Sequence, residues 1–238
     1  ASAHFMATEA GHEILAKSGN AFDAAIAVAA ALAVVEPTSS GIGGGGFWLL
    51  HRAEDGFQVM VDSREKAPAA AHRDMYLDED GAVNRDLAIN GPLAGGIPGE
   101  VAGFEHIARQ YGRLPLSVSL QPAIRIARDG FEVDEKFARL MGWRVDQIRR
   151  WPAAAEAFLI DGEAPPVGHV IRLPDLAWVL EQIAERGAAG FYSGPVAEKL
   201  LAGVREAGGI WTQDDLAAYE VVEREPIRTM YGGLELVT

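Results

Sequence analysis

Two short stretches in the first third of the chain carry residues whose types and spacing could do chemistry. The first is Glu36 to Leu50, EPTSSGIGGGGFWLL, in which Gly41 to Gly46 (GIGGGG) satisfies the dinucleotide pattern GxGxxG letter for letter. That pattern works because a strand feeds a tight glycine turn that opens a helix, whose free N–H groups and dipole hold a pyrophosphate. Here the order reads helix, loop, strand, so no helix N-terminus is expected to face a phosphate. A P-loop is excluded as well, because Phe47 stands where GxxxxGK[ST] requires Lys. The glycines are therefore expected to allow close backbone passage or positive φ. Ser39 and Ser40 would suit a nucleophile on a strained turn, but Thr38 stands two before Ser40, so GxSxG is not matched, and no His is placed by sequence as a base. Turn and capping roles outweigh that reading. His4, His12, His51, His72, His106 and His169 form no HxxxH or HExxH pair, so no metal site is expected.

The second stretch is DSREKAP, Asp62 to Pro68. Arg64 stands at the end of an apolar strand, next to Glu65 and Lys66. Its planar fork suits a carboxylate. The competing reading is a rim ion pair worth at most about 1 kcal/mol, and spacing alone leans toward the ion pair.

The elements that would position these residues follow from periodicity and punctuation. Thr8 to Lys17 reads as a short helix stopped by Ser18-Gly19. Asn20 with Asp23 forms a capping box ahead of a second helix, Ala21 to Val35, which has no polar face and must be buried all round. After Glu36-Pro37 and the glycine loop, Phe47 to Arg52 and Phe57 to Asp62 read as an antiparallel hairpin turning at Ala53 to Gly56. The rest is mostly helical: from Pro98 to about Tyr111, up to Asp129-Gly130, over PDLAWVLEQIAERG, over GPVAEKLLAGVREAGG, and from Thr212 to Tyr219. Arg228 to Thr238 reads as a final strand.

Composition narrows the function classes. The chain has 238 residues and a formal charge of −13, with no Lys/Arg stripe, which argues against nucleic acid as a partner. There is no cysteine, so disulfides, thiolate nucleophiles and thiolate metal sites are all absent. The longest apolar run, Ala24 to Val35, is far shorter than the roughly 20 residues of a membrane-spanning helix, so no membrane span is expected. With no internal repeat or linker, residues 1–238 read as one domain.

Taken together, SGNAFDAAIAVAAALAVVEPTSSGIGGGGFWLL, DSREKAP, GIPGEVAGFEHIARQYGRLP, PAIRIARDGF and GIWTQDDLAAYE resemble the γ-glutamyltranspeptidase family in order and spacing. The likeness runs from about Thr8 to Tyr231. It implies an α+β fold of the N-terminal nucleophile hydrolase type, two antiparallel sheets between helical layers. The chain is similar to part of the large subunit of a precursor that cuts itself in two. The implied activity is cleavage of the γ-glutamyl amide of glutathione or a similar donor through a threonine-bound intermediate, with transfer to water or an amine and no cofactor. The nucleophilic threonine leads the small subunit, so no catalytic residue is expected here and the chain alone is expected to be inactive. By the same resemblance Arg64 binds the donor's α-carboxylate and Glu65 helps to hold that arginine or the donor. A periplasmic or secreted location is implied too. The alternatives are a glutaryl β-lactam acylase of the same superfamily and a non-catalytic homologue.

Overall fold

Two helices open the chain, α1 (Phe5–Ala16) and α2 (Ala21–Val35), in a computed structural model that describes Ala1 to Thr238. The capping box at α2 is formed: the Asn20 side chain accepts from the Phe22 and Asp23 N–H groups, and Asp23 accepts from the Asn20 N–H. Ile26, Ala27, Ala30, Ala31 and Val34 are fully buried, but Ala25, Val28, Ala29 and Leu32 are only half-buried and Ala21 is exposed, so α2 is not buried all round as expected. α1 starts earlier than the expected Thr8, because the His4 ring caps it by accepting from the Met6 N–H at 3.2 Å.

The hairpin has the expected bounds, β1 (Phe47–Arg52) and β2 (Phe57–Asp62), with Trp48 opposite Val61 and Leu50 opposite Val59. A mostly helical stretch follows: α3 (Arg85–Ile89), α4 (Glu100–Gln110), α5 (Leu116–Ser119) and α6 (Gln121–Asp129). Gly130 stops α6 at φ 100°. Then come β3 (Phe131–Glu132), α7 (Glu135–Ile148), α8 (Pro152–Phe158), β4 (Val170–Ile171), which pairs with β3, and α9 (Pro174–Arg186). The chain continues through α10 (Ala189–Tyr192), α11 (Gly194–Glu206), α12 (Gln213–Ala217), β5 (Val222–Arg224), β6 (Arg228–Tyr231) and β7 (Leu234–Val237). The final segment is thus two strands rather than the one expected. Gly232 and Gly233 both take positive φ, 57° and 81°, which is what a two-residue hairpin loop of the primed type demands.

These elements gather into two units, each built from two separated segments: Ala1–Gly41 with Tyr111–Phe191, and Ile42–Gln110 with Tyr192–Thr238. The first is helical around α2. α1 runs along α2 so closely that a Cβ on Gly11 would stand 2.8 Å from Val28 Cγ2, while α6 packs on both α2 and α9. The second holds a three-stranded antiparallel sheet in the order β1-β2-β5. Its core includes Leu50, Val59 and Val61 with Val101, Phe104 and Ile107 of α4, and Trp48 meets Phe104 edge-on at 5.9 Å.

Asp23 does more than cap α2. Its carboxyl group is fully buried and also accepts from the Arg113 N–H (3.0 Å) and the Leu114 N–H (3.3 Å), so one side chain ties the start of α2 to the segment leading into α5. Asp23→Ala would leave three part-buried N–H groups without their acceptor, each costing up to about 1–3 kcal/mol, some of it recovered by water. The expected loss is about 3 kcal/mol in urea unfolding followed by circular dichroism, with Asp23→Asn costing less. A loss for the Ala variant below about 1 kcal/mol would contradict the assignment.

Candidate substrate-binding site

β2 ends at Asp62, and the next residue locks the chain onto the glycine loop. Ser63 is fully buried. It donates its N–H (3.0 Å) and its Oγ (3.1 Å) to the Gly46 carbonyl and accepts from Trp48 Nε1 at 3.2 Å. The two strands of chain then run so close that a Cβ on Gly45 would collide with the Ser63 carbonyl oxygen and stand 3.1 Å from Arg64 Cα. A Cβ on Gly99 would collide with that same oxygen and with Tyr219 Oη. Glycine is required at both places because any side chain would force the segments apart.

Arg64 is held at both ends. Its N–H donates to Asp62 Oδ1 at 3.0 Å, and its carbonyl accepts from Tyr219 Oη at 2.8 Å. At the tip, Nη1 donates to the Gly45 carbonyl at 3.1 Å, and Nη2 lies 3.1 Å from Glu65 Oε2. The side chain is still 52% exposed, so part of Arg64 remains open to solvent. Burial pushes the Asp62 carboxyl up, but the Arg64 N–H and the Arg224 guanidinium outweigh it and hold Asp62 below the usual carboxylate range.

Two acids border the loop. Glu65 Oε1 is 3.0 Å from where a Gly44 Cβ would be, and Glu100 Oε2 is 3.7 Å from where a Gly46 Cβ would be. Burial, reinforced by the charge of Glu65, pushes the Glu100 carboxyl up to about 7. Behind them Tyr192 and Tyr219 stack in parallel, 5.8 Å between centroids and 3° between planes. Tyr192 donates its hydroxyl to the Pro98 carbonyl at 2.8 Å and accepts from the Ala102 N–H at 3.3 Å. Burial raises both phenols, Tyr219 to about 12, with nearby carboxylates adding to the effect. They remain neutral donors that fix backbone carbonyls.

The structure brings together the two residues predicted from sequence, Arg64 and Glu65, as an ion pair anchored on the loop. Ser39 and Ser40 serve a turn, both donating backbone N–H groups to the Glu36 carbonyl at 2.9 Å. His106 Nε2 lies 2.8 Å from Glu223 Oε1, tying α4 to β5. One expectation needs correction: the glycine loop does meet a helix N-terminus, that of α4. The Gly44 carbonyl accepts from the Gly99 (2.8 Å) and Glu100 (3.0 Å) N–H groups, so the groups a phosphate would use are filled, and two acids stand beside them. Glu100, Tyr192 and Tyr219 escaped sequence reasoning. A first-turn acid and tyrosines beside helices look like ordinary capping and core residues until long-range packing gathers them.

The family model described as gamma-glutamyltranspeptidase matches residues 7–238. The glutathione hydrolase proenzyme of Escherichia coli (strain K12) is 41% identical over 237 residues, 99% of this chain and 41% of that protein. The chain therefore spans about two-fifths of the length of that relative. Among solved structures, the γ-glutamyltranspeptidase of Helicobacter pylori matches with a TM-score of 0.96 at 38% identity, covering 100% of this chain and 68% of that one. The cephalosporin acylase of Bacillus halodurans matches with a TM-score of 0.86 at 32% identity, covering 98% of this chain and 44% of that one. A family match over nearly the whole length and a close superposition on a solved member agree with the residues that suggested the resemblance: the chain belongs to the γ-glutamyltranspeptidase family and has its α+β fold.

Proposed function

We propose that this chain is the large-subunit portion of a γ-glutamyltransferase/glutathione hydrolase in which Arg64 binds the α-carboxylate of the γ-glutamyl donor. The observation that carries this reading is the Arg64 fork, anchored on the Gly45 carbonyl and Glu65 yet half open to solvent, within a DSREKAP segment in a member of this family. A donor carboxylate would add a charge-assisted, bidentate pair to that fork, giving direction as well as roughly 1.5–3 kcal/mol. Glu65 holds the fork in the plane the donor meets.

In this reading the nucleophile is the threonine that leads a small subunit cut from the same precursor. Its hydroxyl oxygen attacks the γ-carbonyl carbon, its proton passes to the threonine's own α-amino group, and the C–N bond breaks to release the amine with that proton. Water or an acceptor amine then attacks the ester and regenerates the hydroxyl. Exposed apolar side chains support a missing partner surface: Phe47 and Leu49 on edge strand β1, and Met230, Tyr231 and Leu234 on the β6–β7 hairpin. A periplasmic or secreted location goes with this proposal.

The likeness to a cephalosporin acylase keeps a second reading in view, hydrolysis of a glutaryl side chain, which lacks the α-amino group. Assays of the mature full-length protein separate the two: γ-glutamyl-p-nitroanilide is expected to be turned over well ahead of a glutaryl anilide, and the reverse order would favour the acylase. For Arg64→Lys, which loses the planar fork, KM for the γ-glutamyl donor is expected to rise about tenfold or more, with a smaller change in kcat. An unchanged KM would remove Arg64 from the donor site.

A further inference from the structure

The peptide that carries Arg64 is held differently from its neighbours. On one side Ser63 bonds main chain to main chain with Gly46, and on the other Lys66 both donates to and accepts from Ile97. Arg64 has no main-chain partner: its N–H donates to Asp62 Oδ1 at 3.0 Å, and its carbonyl accepts from Tyr219 Oη at 2.8 Å. The first bond is local, to a residue two positions earlier. The second comes from 155 positions away, and through it the Arg64 peptide is tied to another part of the fold.

That hydroxyl is built to stay in place. The Tyr219 ring is buried, stacks on Tyr192 at 5.8 Å and 3°, and has the Lys66 ammonium over it at 5.0 Å. Tyr192 is fixed in turn by the Pro98 carbonyl and the Ala102 N–H. The hydroxyl fills space that Gly99 leaves, where a Cβ would stand 2.0 Å from Oη.

We propose that Tyr219 is a positioning residue for donor binding: by holding the Arg64 carbonyl, its hydroxyl fixes the peptide from which the guanidinium is presented, and so sets the affinity for the donor's α-carboxylate. The inference rests on the reading of Arg64 as the donor-carboxylate site. A planar fork is sensitive to its base in a way that a point charge is not, because a bidentate pair needs two N–H groups aligned at once. With the carbonyl released, an arriving carboxylate must order the peptide as well as the side chain, which weakens binding. The loss is expected in KM rather than kcat, because the bond to Arg64 is made equally in the ground state and in the transition state.

The test is a double-mutant cycle in the mature full-length enzyme, read with γ-glutamyl-p-nitroanilide. Tyr219→Phe removes the hydroxyl and keeps the ring against Tyr192. Its KM is expected to rise about three- to tenfold, with kcat within about twofold of wild type. Replacing Tyr219 by 4-aminophenylalanine, whose amino group still donates, is expected to bring KM back to within about twofold of wild type. In the Arg64→Lys background, adding Tyr219→Phe is expected to raise KM by less than about twofold, because no fork is left to align. A tyrosine that only staples the fold would act by the same factor in both backgrounds. Calorimetric titration with L-glutamate, which carries the same α-carboxylate, gives an equilibrium readout, and its Kd is expected to rise in Tyr219→Phe alongside KM. If Arg64→Lys raises KM while Tyr219→Phe leaves KM and Kd unchanged, the inference is overturned and the reading of Arg64 stands. Equal factors in the two backgrounds, or a KM that stays raised with 4-aminophenylalanine, overturn it as well. An unchanged KM in Arg64→Lys removes the reading and the inference together.

Discussion

The Ser63 carbonyl oxygen occupies the space that side chains on Gly45 and Gly99 would need, and the organisation of the second unit depends on that close approach. It brings the glycine loop, the end of β2 and the start of α4 within hydrogen-bonding reach of one another. Ser63 can then bond twice to Gly46, Gly44 can cap α4, and Tyr219 can reach past Gly99 to the Arg64 carbonyl. Each of these bonds is ordinary by itself, worth about 0.5–1.5 kcal/mol net. Their value lies in direction, because they converge on one arginine from its backbone and from its tip. A side chain whose Nη1 and Nη2 already have partners has fewer rotamers to lose when an anion arrives, which is how preorganisation turns contacts into affinity.

The first unit solves a different problem. α2 has almost no polar side chain, and at its start the cap residue Asn20 accepts from the Phe22 and Asp23 N–H groups while the N3 residue Asp23 accepts from the Asn20 N–H. Asn20 and Asp23 satisfy them locally, then reach outward: Asn20 Nδ2 donates to the Tyr111 carbonyl at 2.7 Å, and Asp23 accepts from Arg113 and Leu114. The capping box thereby becomes a tertiary joint. Two residues three positions apart in one helix signal fix where a segment some ninety positions later must run.

What could be read in advance follows this division between local and distant causes. The bounds of α2, β1 and β2 were legible because capping, periodicity of two and turn chemistry are written within a few residues. Arg64 and Glu65 were legible as an exposed cluster at a strand end, although spacing alone leaned toward a rim ion pair. The third strand of the sheet, β5, was not legible: its residues are exposed, it is three residues long, and only pairing with β2 makes it a strand. Glu100 was hidden for a related reason. An acid in the first turn of a helix normally signals a favourable macrodipole, and only burial in the folded unit, reinforced by the charge of Glu65, converts it into a carboxyl raised to about 7. The final hairpin was misread because Gly232-Gly233 were treated as part of a strand rather than as its turn.

The glycine loop shows why a letter pattern cannot stand for a binding site. A phosphate-holding loop presents successive N–H groups to its ligand, so its polarity is that of a donor. Here the groups put to use are the carbonyls of Gly44, Gly45 and Gly46, which accept from the N–H groups of α4, from the Arg64 guanidinium and from Ser63. The loop is an acceptor surface, and an acceptor surface holds a cation. That cation belongs to the protein itself, and because Gly45 and Glu65 engage only part of its fork, the charge is passed outward. The same flexibility that would let glycines wrap a phosphate instead lets them carry an arginine.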